Sequence, residues 1–106
     1  MAKYLFQGVY TDKGLEGLLK EGGSKRREAA DQTIKSLGGT LEAYYFGFGK
    51  DDFYAVVDLP DNMAATAASL VGNASETIKV TVTVLLTPEE VDQATKMTVD
   101  YRPPGQ

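Results

Sequence analysis

Four segments of the chain have the alternating pattern of β-strands. They are Lys3–Tyr10, Thr40–Gly49, Asp52–Leu59 and Thr77–Leu86. The fourth is the clearest, because it alternates strictly and β-branched residues fill most of its positions. Successive side chains of a strand point to opposite faces of a sheet. The first segment therefore puts an aromatic set (Tyr4, Phe6 and Tyr10) on one face and an aliphatic set (Leu5 and Val9) on the other.

Apolar residues at helical spacing follow the first strand. This stretch is predicted as two helices, because Gly22-Gly23 interrupts it. Thr11 is predicted to cap the short first helix, and Ser24 the longer second one. Gly38-Gly39 supplies the expected end of the second helix.

Two more helices are predicted downstream. An Ala-rich helix runs from Pro60 to about Gly72, with an apolar face that contains Met63, Ala67, Leu70 and Val71. The next begins at Thr87-Pro88-Glu89-Glu90, a capping box with proline at the first helical position, and runs to about Met97. The prolines near the C-terminus cannot continue that helix, so residues 98–106 are predicted as an extended tail.

The order of these elements predicts one α+β domain covering residues 1–106. It is the βαββαβ order of ferredoxin-like folds, with an extra C-terminal helix and an antiparallel four-stranded sheet. At 106 residues the chain has the commonest domain size, so a second core is not expected.

In such a fold the helices cover one face of the sheet and leave the other open. Strict alternation in the second strand puts Tyr44, Phe46 and Phe48 on one face and Leu41, Ala43 and Tyr45 on the other. Neither set is polar, so we expect the uncovered face to be apolar and aromatic. An exposed aromatic row would form a large apolar patch. We therefore expect a homodimer that packs sheet on sheet; the alternative is that the C-terminal helix covers this face within one chain.

Composition excludes several kinds of chemistry. The chain has no His and no Cys, which excludes disulfides, thiolate or imidazole metal sites, and Cys or Ser-His nucleophiles. We predict no metal and no cofactor. The net charge of −4 disfavours nucleic acid and anionic membrane surfaces as partners. No secretion signal and no membrane-spanning segment of ~20 apolar residues is evident, so a cytoplasmic location is expected.

The segment Gly22-Gly23-Ser24-Lys25-Arg26-Arg27 is the strongest candidate for a ligand site. A glycine-rich turn exposes backbone N–H groups, and the start of a helix favours negative charge. Cations there oppose the helix dipole, so a bound anion would account for Lys25, Arg26 and Arg27. The alternative is a solvated helix start whose charge is balanced by Glu21, Glu28 and Asp31.

Tyrosines and aspartates are the other candidates. Tyr44, Tyr45 and Tyr54 could line a cavity and donate hydrogen bonds to a ligand or a carbonyl-bearing substrate, or they could be core and interface residues. Aspartates near the second hairpin could bind a hard cation or transfer protons, but their spacing matches no metal loop. Aspartates also form turns and caps, and that interpretation is favoured for Asp51, Asp52, Asp58 and Asp61.

The hairpin from Tyr44 to Tyr54 and the Asp58–Asn62 segment after it resemble the GYD-domain family of small bacterial proteins. The likeness extends to Lys20–Ser24, Leu85–Val91 and Tyr101–Gly105, and so to essentially the whole chain. It implies the fold of the dimeric α+β barrels, with a homodimer or higher oligomer formed through the sheet, and it assigns no chemistry. One position departs from the family motif, because Asp51 replaces the Tyr that helps to name it. The role of that Tyr is therefore open in this chain.

Three functions are consistent with these features. The first is a homo-oligomeric protein that binds a small, partly apolar ligand in or near the barrel. The second is a cofactor-independent enzyme of the monooxygenase or isomerase type, for which the barrel offers fold analogy only. The third is a purely structural or interaction protein. The missing His makes a general base harder to find, which favours binding over catalysis.

Overall fold

A computed structural model describes all 106 residues of the chain. Its elements are β1 (Ala2–Tyr10), α1 (Asp12–Glu21), α2 (Gly23–Ser36), β2 (Thr40–Phe46), β3 (Phe53–Leu59), α3 (Asn62–Ala74), β4 (Ile78–Leu85) and α4 (Pro88–Thr95). The strands form one antiparallel sheet in the order β2-β3-β1-β4. The predicted ferredoxin-like α+β fold with an extra C-terminal helix is therefore confirmed. Each helix is too short or too polar to cross a membrane.

Capping groups define the helix starts largely as predicted. The Thr11 side chain accepts a backbone hydrogen bond at the start of α1, and Thr87 forms the predicted capping box with Glu90 at the start of α4. The assignment of Ser24 as the cap of α2 is wrong. Gly22 takes the capping position with a φ of 83°, and no side chain caps this helix. Glycine adopts that backbone conformation without strain, which explains why it occupies the junction of α1 and α2.

The core lies between the sheet and helices α2 and α3. It contains the aromatic set of β1 and, from the other elements, Ile34, Phe53, Ala55, Val57, Leu59, Ala65 and Val80. Leu59 is completely buried, and Tyr4 and Val57 are each only 1% exposed. Burial of each large apolar side chain stabilises the fold by ~1.5–3 kcal/mol. The predicted faces of β1 are confirmed, because its aliphatic set lies on the opposite side of the sheet and is only partly buried.

Helix α3 packs through its smallest residues, which corrects the predicted apolar face. Ala65 is buried, and Ala64 and Ala68 lie against the core. The larger residues of the predicted face, namely Met63, Leu70 and Val71, are exposed. Small side chains at the contact allow a helix to approach its neighbour closely, so the alanine face is the one that meets the sheet.

A β-bulge decides which side chains of β2 face the helices. Leu41 and Ala43 pair with consecutive residues of β3, which leaves Glu42 as the extra residue. Beyond the bulge, Tyr44 and Phe46 lie opposite buried residues of β3, as Leu41 does before it. All three therefore share the helix side of the sheet. Strict alternation predicts Leu41 on the face away from the other two, and the bulge overturns that expectation.

The face of the sheet away from the helices, here called the open face, has mixed polarity. It contains aliphatic residues (Leu5, Val9, Ala43, Val56 and Leu85), two tyrosines (Tyr45 and Tyr54) and polar residues (Lys3, Gln7, Asp58, Lys79, Thr81 and Thr83). The expectation of an aromatic open face is wrong, because most aromatic residues of the sheet lie on the helix side. The aliphatic centre of the open face nevertheless remains without a covering element.

Residues 86–106, here called the C-terminal arm, comprise α4 and the tail, and all of them are exposed. The arm elongates the molecule to 56 Å and gives a radius of gyration of 16.8 Å, where a compact domain of this length has about 13 Å. Helix α4 therefore does not cover the open face within one chain, contrary to the alternative that the sequence left open.

Candidate functional site

A cavity of about 330 Å³ lies between the helix side of the sheet and helices α2 and α3. Core residues of the strands form its apolar walls, among them Phe6, Phe53, Ala55, Val57 and Val80. Pockets for small molecules typically have volumes of ~300–1,000 Å³ and predominantly apolar linings. The cavity therefore has the size and composition of a small-molecule site.

Small residues on the two helices leave the space for this cavity. Ala30 of α2 lines it, as do Ala68 and Gly72 of α3. At Gly72 the helix is so close to β4 that a Cβ would lie 3.2 Å from the Ile78 Cδ1 atom. The helices thus lie near the sheet at one point and leave a gap where their side chains are short.

A pair of tyrosines interrupts the apolar lining. The hydroxyl oxygens of Tyr10 and Tyr44 are 3.1 Å apart and share a hydrogen bond. The Tyr44 ring stacks on Phe53, with ring centroids 6.3 Å apart and planes 6° from parallel. One hydroxyl proton is used between the two tyrosines, which leaves the other proton free to donate.

Tyr44 is held in its neutral form. Burial raises the pKa of Tyr44 far above its ordinary value, the hydrogen bond with Tyr10 raises it further, and the charge of Arg26 opposes the shift. A neutral phenol donates a hydrogen bond and does not accept a proton as a base would. Tyr44 is therefore suited to holding a ligand oxygen.

Spectrophotometric titration should detect this tyrosine. We expect a component that ionises well above pH ~10, the ordinary pKa of tyrosine, and we expect Tyr44→Phe to remove it while Tyr45→Phe leaves it in place. Below pH ~10 the Tyr44 hydroxyl stays protonated in both the folded and the unfolded chain. Above that pH the hydroxyl ionises first in the unfolded chain, so the free energy of unfolding decreases as the pH rises. A late component that persists in Y44F would contradict this assignment.

Arg26 is the charged residue that lines the cavity. Its Nε is buried without a hydrogen-bond partner, and its Nη1 lies 4.0 Å from the Glu21 carboxylate, at the limit of an ion pair. The guanidinium has five N–H donors. Because the chain itself encloses Nε and the side chain is 34% exposed, the donors that a bound ligand could use are those of the terminal nitrogens.

The structure separates the other predicted ligand residues from this cavity. Tyr45 and Tyr54 are cross-strand partners on the open face. Ser24, Lys25 and Arg27 are exposed in the first turns of α2, where Arg27 borders shallow grooves with Tyr44 and Tyr45. Of the seven predicted ligand residues, only Arg26 and Tyr44 line the apolar cavity.

The aspartates have structural partners, as the favoured interpretation requires. The Asp51 carboxylate accepts a hydrogen bond of 2.7 Å from Gln7 Nε2, and the Asp52 carboxylate accepts one of 2.9 Å from the Tyr10 N–H. The Asp61 side chain caps α3. No group of three or more acidic side chains is close enough to hold a metal ion. Asp51, which replaces the Tyr of the family motif, thus connects the β2–β3 turn to β1 through its hydrogen bond with Gln7.

Sequence reasoning missed the residues that make the cavity. Tyr10 was expected only as one of the aromatic residues of β1, because its partner Tyr44 lies 34 positions away. Ala68 was not singled out, and Gly72 was predicted only as the approximate end of its helix. The single available signal was the spacing of these two small residues, one turn apart on the same helix.

No curated protein and no solved structure matches the chain significantly. The sequence model of the GYD domain matches residues 4–95, a range that extends from the first buried residue of β1 to the end of α4. It includes every residue that lines the cavity and stops before the tail. The resemblance noted from the hairpin is thereby confirmed over most of the chain, which belongs to the GYD domain family.

Proposed function

We propose that this chain is a homo-oligomeric binding protein that holds a small, largely apolar molecule in the cavity between the sheet and helices α2 and α3. The cavity itself carries the proposal. The cavity opens to solvent between the two helices, where its lining includes Val71, 69% exposed, and Arg26, 34% exposed. A concave, mostly apolar cleft with a few polar groups is the usual form of a small-molecule site, so about 330 Å³ of such space is best explained by a ligand that fills it.

Binding is better supported than catalysis at this site. The lining contains no carboxylate, imidazole or thiol, and these are the groups that most often transfer protons near neutral pH. The neutral hydroxyl of Tyr44 supplies a directional donor. Shape, apolar contact and a few hydrogen bonds are what a site of this kind offers a ligand.

The proposal includes a second copy of the chain on the open face. Leu5, Val9 and Val56 form the aliphatic centre of that face. Lys3 Nζ lies 3.1 Å from Asp58 Oδ1 and also contacts a Glu42 carboxylate oxygen. The positive charge of Lys3 is therefore paired within the chain, which lowers the cost of bringing it close to a partner relative to an unpaired charge.

The C-terminal arm supplies surface that the sheet alone lacks. Four strands at ~4.8 Å spacing and ~3.3 Å per residue present roughly 500 Å² in projection, whereas a standard interface buries ~800 Å² per partner. The arm exposes Val91, Met97, Val99 and Tyr101, the last three at 69–74%. We propose that each arm packs on the other subunit, where these apolar residues leave water.

Fluorescence of N-phenylnaphthylamine, a neutral apolar probe, tests the binding function. We expect the folded protein to bind it, and we expect Ala30→Leu to weaken binding by about tenfold or more because the longer side chain fills the cavity. Ala29→Leu is the matched control, since Ala29 lies on the same helix and does not line the cavity. Equal binding by A30L and the unchanged protein would overturn the proposed site.

A further inference from the structure

The geometry points to a more specific ligand class for this site: a monoanionic carboxylate with an apolar body, whose head pairs with Arg26 and whose body fills the cavity. This inference rests on the proposed binding function and goes beyond it by naming the charge and the chemical group of the ligand. Three features carry it, namely the donors of Arg26, the tyrosine pair and the absence of any other charge in the lining.

Arg26 is the counter-ion in this arrangement. Its side chain is 34% exposed, and its Nη1 makes only a weak ion pair with Glu21, at 4.0 Å. A carboxylate is the group that pairs best with a guanidinium, because its two oxygens accept from two parallel N–H donors. Pairing of the terminal nitrogens with a ligand carboxylate would give Arg26 a close ionic partner, which Glu21 at 4.0 Å does not provide.

The tyrosine pair is placed to assist. Tyr10 and Tyr44 line the same cavity as Arg26, and one of their two hydroxyl protons is not used between them. Arg26 is also close enough for its charge to act on the Tyr44 hydroxyl. A carboxylate oxygen near both groups would receive a charge-assisted bond from Arg26 and a further bond from a phenol.

The charge balance favours one negative charge over two. The lining contains a single cation and no anion, and Glu21 already offsets part of its charge. Lys25 and Arg27 lie outside the cavity and are exposed. A phosphate dianion would therefore carry charge that the cavity does not compensate, and uncompensated buried charge is strongly unfavourable.

Competition between matched ligands tests the inference. Octanoate and octanol have the same chain length and differ in head-group charge, and each is titrated against bound N-phenylnaphthylamine at neutral pH. In the unchanged protein we expect octanoate to displace the probe at about tenfold lower concentration than octanol. In the Arg26→Gln protein, octanol should displace the probe at a lower concentration than octanoate does. The reason is that a carboxylate without a counter-ion loses hydration and gains no compensating charge. Arg27→Gln, with the same change in net charge on the same helix, should preserve the preference for octanoate.

The possible outcomes separate the two proposals. If octanol displaces the probe as well as octanoate does, and R26Q changes neither, the carboxylate assignment is overturned and the binding function stands. If neither compound displaces the probe and A30L binds it normally, the cavity is not the site and both proposals fail. Equal loss of preference in R26Q and R27Q would indicate a general surface-charge effect and would also overturn the assignment. Inorganic phosphate that competes better than octanoate would indicate a dianion site instead.

Discussion

Replacement of Val56 by lysine is expected to convert the proposed dimer to a folded monomer. Val56 lies on β3 at the centre of the open face, opposite Leu5 of β1 and Ala43 of β2. In the proposed dimer its side chain is covered by the second sheet, so a lysine there would bring an unpaired charge into an apolar contact, at a cost of several kcal/mol. In the monomer the same lysine reaches solvent, so the fold should be retained.

Size-exclusion chromatography with light scattering measures this effect, and circular dichroism verifies the fold. Leu19→Lys is the matched control, because Leu19 is an apolar residue that is 87% exposed and belongs to helix α1, not to the sheet. We expect L19K to remain dimeric. If the protein without substitutions elutes as a stable monomer, the proposed dimer is contradicted. If the V56K protein is dimeric, the open face is not the interface.

Replacement of Gly8 by alanine is expected to destabilise the domain by ~3 kcal/mol, a large part of the 5–15 kcal/mol typical of a small domain. Gly8 is buried in β1, and a Cβ built there would lie 2.0 Å from the Lys79 carbonyl oxygen and 2.9 Å from Val80 Cα. Both contacts are with the backbone of β4, which cannot rotate away as a side chain can. The two strands would have to separate at the point where they pair.

Urea unfolding of the two proteins gives the difference in the free energy of unfolding. Gly17→Ala is the control with the opposite sign, since Gly17 lies in α1 and a Cβ there would meet nothing within 4 Å. Alanine in a helix is favoured over glycine by ~0.5–1 kcal/mol, so G17A should stabilise the protein slightly. A Gly8→Ala protein as stable as the unchanged one would contradict the close approach of β1 and β4.

Much of the fold followed from local chemistry that is written in consecutive residues. Thr11 and the Thr87 capping box mark helix starts because a hydroxyl accepts a hydrogen bond from the backbone N–H groups that the first turn leaves free. Gly38, with a φ of 81°, ends α2 because glycine takes that conformation without strain. Each of these signals involves residues that are close together in the chain, so it can be recognised from the sequence alone.

Only some residues of the candidate site could be predicted from the sequence, and their proximity could not. Arg26 and Tyr44 were both named from the sequence, but for separate reasons, one as part of a helix start and one as part of a strand. Nothing in the intervening residues indicates that they line the same cavity as Tyr10. The neighbouring candidates Arg27 and Tyr45 have the same chemistry and similar positions in the chain, and the structure places them outside this cavity.

By itself, the sequence determined the order and type of the elements and the exclusion of thiol and imidazole chemistry, because composition and local periodicity depend on no other part of the chain. The family was indicated separately, by the resemblance of the hairpin and the segments around it. The tertiary structure decided which residues share a face or a cavity. The bulge at Glu42 shows why: it exists only in the pairing of β2 with β3, and a single extra residue turns Leu41 to the helix side. The space left by Ala30 and Ala68 likewise exists only once two helices lie over one sheet.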